Sequence, residues 1–283
     1  MKKLAFLCGL IATFWGAALS AQEQNLYPPM PFFPVVAHAG FSFVAPENTM
    51  SAMRAAVAAG ADACEMDLHQ TGDGVIFLYH DSSLKRPSGE EVAVTDLTFE
   101  ELQQFDAGAW KGEEFKGEKY PALDEVLDLL SQSNVGAVIE IKVGGFEEKL
   151  VETVRAHHME RNTVLIDFSA ERVKKFRQIA PDIPCAWLVA FDGGISTDEA
   201  CTQIEKTLQD CGTNLVDMHF GRTSAELVER LASHGIEVMV WTVDDPDDIA
   251  RLYGYGVCSI TTDRPDLALE LLKTNPIGEK KVK

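Results

Sequence analysis

The chain has 283 residues, 46% of them hydrophobic, and a formal net charge of −19. That length and apolar content suit one large soluble domain with a full core, while so acidic a surface argues against nucleic acid or an anionic membrane as partner. An anionic substrate would need a local positive centre, which a bound divalent cation supplies.

At the N-terminus, Lys2 and Lys3 precede an apolar run from Leu4 to Leu19, followed by Ser20, Ala21 and polar Gln22. This is the pattern of a cleaved secretory signal peptide over residues 1–21. The run is short for a membrane anchor and ends in small residues. The mature protein is therefore expected to be periplasmic or secreted, without stable membrane insertion. Losing the two lysines takes the charge from −19 to −21. Cys8 lies too early in the apolar run for lipid attachment. Five cysteines then remain, an odd number that excludes complete internal pairing. Cys64, Cys185 and Cys258 sit in strand-like runs and read as small buried hydrophobes. A Cys201–Cys211 disulfide stays open in an oxidising compartment, although ten helical positions would span about 15 Å, too far for a bridge.

Residues 22–34, rich in Pro, Gln and Asn, read as an extended lead-in. Strand-like runs follow near 35–39, 63–68, 136–142, 163–168, 184–190, 214–219, 237–243 and 258–262. Helical periodicity fills the gaps, as in Phe146 to His158, Ala170 to Ile179, Ser224 to Ser233 and Pro246 to Tyr253. Eightfold strand–helix alternation predicts a parallel sheet closed into a single (β/α)₈ TIM barrel over residues 35–274. A ninth apolar run, 75–81, follows its neighbour too closely for a parallel crossover. Thr71-Gly72-Asp73-Gly74 supplies a hairpin turn, so this run is the returning arm, placing His80 about opposite Glu65. Residues 82–122 then form an insertion over one end, with a short helix near Thr98 to Phe105. The polar tail 275–283 is expected to be disordered.

Glu65 and Asp67, two apart on a strand, point to one face. In so apolar a run they would be buried, which is costly for carboxylates that hold no cation. Glu140, between Ile139 and Ile141, has the same context. Three carboxylates with no cysteine or histidine at ligand spacing predict one hard divalent cation, Ca²⁺ or Mg²⁺. His38 and His80, on either side of that centre, suit paired acid and base work. His38, Glu65 with Asp67, Glu140 with Lys142, and Trp241 all fall toward the C-terminal ends of their strands, the face that carries active sites in such barrels. Lys142 reads as a salt-bridge partner of a carboxylate, and Trp241 as core. Glu47 is placed in the first turn of the helix after Pro46, where Asn48 and Thr49 either cap the helix or orient groups around His38. His219 ends a strand on the same face. His157 and His158 end a helix, where a cation suits the dipole.

His38-x-Gly40, Pro46-Glu47-Asn48-Thr49, Glu65-x-Asp67, the Asp73-Gly74 turn and His80-Asp81, taken in order, resemble the glycerophosphodiester phosphodiesterase family. The resemblance continues through Leu84-x-Arg86, Asp106-Ala107-Gly108-x-Trp110, Glu140-Ile141-Lys142, Trp241-Thr242-Val243 and Thr262-Asp263-x-Pro265, covering nearly the whole mature chain. It implies metal-dependent hydrolysis of small-molecule glycerophosphodiesters to an alcohol and glycerol 3-phosphate. It also implies that Glu65, Asp67 and Glu140 hold the cation and that His38 and His80 are the catalytic pair. In the same reading Lys142 contacts phosphate and Trp241 lines the cleft, with Glu47 beside the substrate. One departure matters: the usual His-Arg-Gly is here His38-Ala39-Gly40, and alanine cannot contact phosphate. Lys142 with the cation, or Arg86 swinging in, would then carry the anion, or the substrate differs. Two rival readings stay open: a related barrel phosphodiesterase acting on intact phospholipid or a non-glycerol diester, with an apolar rim around its cleft, and a non-catalytic binding protein. The sequence does not give the oligomeric state.

Overall fold

The computed structural model describes residues 27–89, 91–191 and 193–274. The expected leader 1–21, residues 22–26 of the lead-in and the tail 275–283 lie outside the described residues. Residues 27–34 run without helix or strand to the first of the nine strands found among the described residues. These are β1 Val35–Ala37, β2 Ala63–Gln70, β3 Ile76–Leu78, β4 Gly136–Ile141, β5 Thr163–Asp167, β6 Cys185–Val189, β7 Leu215–His219, β8 Glu237–Trp241 and β9 Ser259–Thr262. All but β3 are parallel neighbours in a ring that β1 closes by pairing with both β2 and β9. The outcome is the expected (β/α)₈ barrel.

Helices connect successive strands over the outside: α1 Met50–Ala59 after β1 and, further on, α4 Leu123–Ser133, α5 Glu147–Ala156, α6 Ala170–Ile179, α7 Thr197–Cys211, α8 Ala225–Ser233, α9 Pro246–Tyr255 and α10 Pro265–Thr274. Between β3 and α4 come two four-residue helices, α2 Lys85–Ser88 and α3 Phe99–Leu102. The second begins where expected, its first turn capped reciprocally by Thr98 and Glu101, but ends at Leu102 short of Phe105. This insertion has its own small core around Phe77, Tyr79, Leu84, Val94, Leu102 and Tyr120.

Strand parity sorts the barrel's side chains. Met66, Ile139, Leu165, Val216 and Val240 point outward into the layer shared with the helices. Their alternates Val36, Ala63, Val138, Val164, Leu215 and Met239 fill the lumen with Phe33 of the lead-in as a plug. A side chain at Gly136 would meet the Phe33 ring at 2.0 Å, so glycine is what lets the plug seat. Each such buried side chain contributes about 1.5–3 kcal/mol. The floor is apolar but for Ser259, whose Oγ donates to the Phe33 carbonyl at 2.7 Å, and the charged groups gather at the other end.

Cys201 and Cys211, left open above, both lie on α7 and are free thiols; at 1.5 Å rise per residue they stand about 15 Å apart, so no disulfide joins them. The expected place of Glu47 is corrected: it lies ahead of α1, whose cap is Thr49, accepting from the Ala52 N–H. The hairpin pairs Leu68 with Leu78 and Gln70 with Ile76, a register that, extended by two residues, sets His80 within one residue of Glu65.

Candidate active site

The parity that sends Val36, Ala63, Val138, Leu215 and Met239 into the lumen also sends in His38, Glu65, Asp67, Glu140, Lys142, Asp217 and Trp241, one or two steps closer to the C-terminal ends. They line a cavity of about 360 Å³, together with His80 and with Ile166, Phe168 and Leu188 on its apolar side. The sequence-predicted residues converge there, except Glu47.

Glu65, Asp67 and Glu140 each bring one oxygen within 4.8 Å of the others. Glu65 and Asp67 are buried, at 4% and 2% exposure. Lys142 reaches across them, its Nζ 3.1 Å from Asp67 Oδ1 and 3.0 Å from Glu140 Oε1. Burial and the neighbouring Asp67 push the Glu65 carboxyl up to about 8, and burial likewise raises Glu140 despite Lys142. Burial opposes the charge on Asp67 too, but Lys142, His80 and Asn48 keep it below the usual carboxylate range. Asn48, in the left-handed region at φ 56, donates to Asp67 Oδ2 at 2.8 Å and accepts from the Asp67 N–H at 3.1 Å. Burial and mutual repulsion make this cluster of three carboxyl groups resist ionising without a further cation, and all three donors are hard oxygens. The residues present fit a hard divalent cation.

Each histidine is held by a carboxylate on one nitrogen. His38 Nδ1 donates to Asp263 Oδ1 at 2.6 Å, and its Nε2 lies 4.0 Å from Glu65 Oε2. His80 Nδ1 bonds Asp81 Oδ1 at 2.8 Å. Burial opposes charge on His38, yet the Asp263 hydrogen bond and the fields of Glu65, Asp263 and Asp67 raise it to about 10. Asp263 is fixed in turn by Ser42 Oγ at 2.7 Å, and Asp81 by Arg86 Nε at 2.7 Å. In both histidines Nε2 is the atom left free of these carboxylates.

The glycerophosphoryl diester phosphodiesterase family model matches residues 38–267, from the first of these histidines to just beyond Asp263. The chain belongs to this family. Membership makes it a phosphoric diester hydrolase. It is 31% identical over 246 residues to the glycerophosphodiester phosphodiesterase of Caldanaerobacter subterraneus, covering 84% of this chain and 97% of that one. The glycerophosphodiester phosphodiesterase structure from Agrobacterium tumefaciens superposes with a TM-score of 0.71 at 29% identity, over 84% and 99% of the two chains. The Oleispira antarctica phosphodiesterase, solved with the product sn-glycerol-3-phosphate, gives 0.76 at 25% identity, over 86% and 97%.

Ala39 is buried at 2% exposure and in the left-handed region at φ 49. Its backbone N–H donates to Glu65 Oε2 at 2.9 Å, a function independent of the side chain. The next residue must be glycine: Gly40 has φ +80, and a Cβ there would stand 2.6 Å from the Ala52 carbonyl carbon. Arg86 does not swing into the cavity; Asp81 and Glu47 hold it. Glu47 therefore anchors the arm that carries His80 instead of lining the cavity. His219 backs the site, its ring edge-on to Trp241 at 5.2 Å. Asn48 and Asp263 act at the site, as support for a carboxylate and an imidazole. Asp217 escaped the sequence reading: it is wholly buried, lines the cavity, and has one oxygen without a partner. Burial raises it well above the usual range. The signal was present, since an acid inside the apolar run Leu215-Val216-Asp217-Met218 is the same anomaly as Glu65.

Proposed function

We propose that the chain hydrolyses glycerophosphodiesters such as glycerophosphocholine to an alcohol and sn-glycerol 3-phosphate, using His38 and His80 as the acid–base pair. Glu65, Asp67 and Glu140 hold one divalent cation, Ca²⁺ or Mg²⁺. The observation that carries this reading is the meeting of both histidines, all three carboxylates and Lys142 in one cavity. When bound, the cation supplies Lewis-acid polarisation of the phosphate oxygens and a lowered pKa for the attacking hydroxyl.

The chain's own groups do the rest. One imidazole Nε2 takes the proton of the nucleophile, either water or the substrate's glycerol hydroxyl. The second gives a proton to the departing alkoxide, so the P–O bond breaks without releasing a strong base. Asp263 and Asp81 hold the rings in the orientation that keeps Nε2 available. Lys142 neutralises a phosphate oxygen while staying tied to Asp67 and Glu140, and Trp241 walls the cleft.

Glycerol 3-phosphate release from glycerophosphocholine is expected to fall to background in EDTA and to return with added Ca²⁺ or Mg²⁺. Release unaffected by exhaustive chelation would sink the cation assignment; none with either ion would sink the substrate.

The leader composition motivates a second proposal, that the chain acts outside the cytoplasm. The N-terminal sequence of protein recovered from the producing cell is expected to begin after Ala21, and an intact Lys2-Lys3 segment would refute export by cleavage.

A further inference from the structure

Asp217 is the fourth acid of the catalytic cavity, and neither the cation nor the acid–base pair uses it. It sits in the middle of β7, level with Leu188 on β6 and Met239 on β8, both apolar. The residue is 1% exposed, and its Oδ1 has no hydrogen-bond partner. Buried polar atoms are nearly always paired, so an orphan beside a reaction centre calls for a physical explanation.

The partners within the chain are already taken. Glu65, Asp67 and Glu140 bring oxygens within 4.8 Å of one another, and Asp217 is not in that group. Lys142 is held by Asp67 and Glu140, and His38 by Asp263. Among the described residues no cation forms an ion pair with Asp217. Its main chain is in use, since Trp241 Nε1 donates to the Asp217 carbonyl at 3.3 Å and so seats the cleft wall on β7. Ile166, Phe168 and Leu188 offer no hydrogen bond, which makes Asp217 a polar point in an apolar wall. Besides burial, the groups that act on its carboxyl are Glu140 and His38. It therefore belongs to the inner end of the cavity, beside the reacting phosphate, and not to the mouth.

The chemistry of a substrate group that fits here is narrow. A phosphate oxygen is repelled by a fourth acid, a quaternary ammonium has no N–H to give, and hydrocarbon leaves the orphan unpaired. A hydroxyl both donates and accepts, and in either protonation state the carboxyl keeps an oxygen that accepts from it. We propose that Asp217 binds a free hydroxyl of the substrate's glycerol moiety and makes that hydroxyl a requirement of the site. The inference rests on the phosphodiesterase reading above and names what that site selects. Asp217 acts in binding, and the proton transfers stay with His38 and His80. A site with a buried partner for a hydroxyl rejects the analogue without one, because the partner is then left unpaired.

The test compares glycerophosphocholine with propylphosphocholine, which has the same headgroup and a three-carbon chain without hydroxyls, on the cation-loaded protein. The parent is expected to favour glycerophosphocholine by about a hundredfold or more in kcat/KM. Asp217→Ala should bring that ratio close to unity. Asp217→Asn, which keeps a donor and an acceptor, should retain most of it. Asp217→Val reads the same ratio if the smaller alanine leaves the chain unfolded. Equal cleavage of both diesters by the parent overturns the proposal. So does an alanine or valine variant that cleaves both more slowly with the ratio intact, the result of a merely structural role. If neither diester is cleaved, the phosphodiesterase reading fails and binding decides the hydroxyl contact. The unfolding temperature of the parent should then rise more with sn-glycerol 3-phosphate than with propyl phosphate, and Asp217→Ala should erase that difference. No difference in the parent, or one that survives in the variant, overturns the contact.

Discussion

Alanine at His38 or at His80 is expected to lower kcat by about 10²–10⁴-fold, the range for removal of a positioned acid or base. The effect should appear in kcat more than in KM, because each ring acts on a proton in transit. Each ring has Nδ1 committed to a carboxylate, Asp263 or Asp81, and only Nε2 left to work. Deleting either removes one of two proton transfers, and neither nearby cation is free to take it over: Lys142 is bound to two carboxylates, and Arg86 to two others. The fold should hardly notice His80→Ala, since that side chain is half exposed, whereas His38→Ala gives up the Asp263 contact that raises this histidine and so costs the cation-free fold some stability. Steady-state kinetics beside thermal unfolding checks both halves of this expectation. A variant with near-full kcat would strike that histidine from the pair, and one that failed to fold would show that its carboxylate contact is structural.

The sequence makes the inward carboxylates visible for a physical reason. An acid in an apolar strand contradicts its surroundings, and period-two parity then states which face it shares. Glu65, Asp67, Glu140 and the barrel follow from that logic. Asp217 follows from it too, but it has no charged neighbour in the chain to draw attention. What the sequence conceals lies in loops, where proximity is created by the tertiary fold. Asn48 looks like a helix cap. Its left-handed backbone instead turns its amide onto Asp67, while Thr49 does the capping. Asp263, 225 residues from His38, meets it only because β9 pairs with β1. Glu47 reads as a helix residue beside the substrate because Pro46 looks like a first-turn proline. Ala39 contributes through its backbone, whose N–H donates to Glu65, a contact that no side-chain pattern announces.

Glu65→Gln is expected to separate stability from activity. Glutamine keeps the shape and still offers an oxygen to the Ala39 N–H, while it removes a carboxyl that the folded, cation-free cluster holds protonated up to about 8 and the unfolded chain ionises. The cation-free variant should therefore unfold at a higher temperature than the cation-free parent. With cation the order should reverse. A ligand at about a hundred times its Kd stabilises by about 2.7 kcal/mol, available to the parent and largely lost to a variant missing one of three donors. Turnover should fall by more than the 10–100-fold typical of changes to groups that merely support metal ligands. The pH dependence has the same origin. Glu65, raised to about 8 in the folded state, makes the cation-free parent lose stability as pH climbs from 4.5 through 8. His38, raised to about 10, contributes stability present below 6.5 and lost as pH rises through 10. Both slopes run the same way, and Glu65→Gln should abolish the first and weaken the second, since Glu65 is one of the charges holding the His38 proton. Unfolding curves for parent and variant, with and without Ca²⁺ or Mg²⁺ at several pH values, decide the matter. A parent indifferent to both ions, or a cation-free variant less stable than its parent, would mean that the carboxylates serve the fold and not a cation.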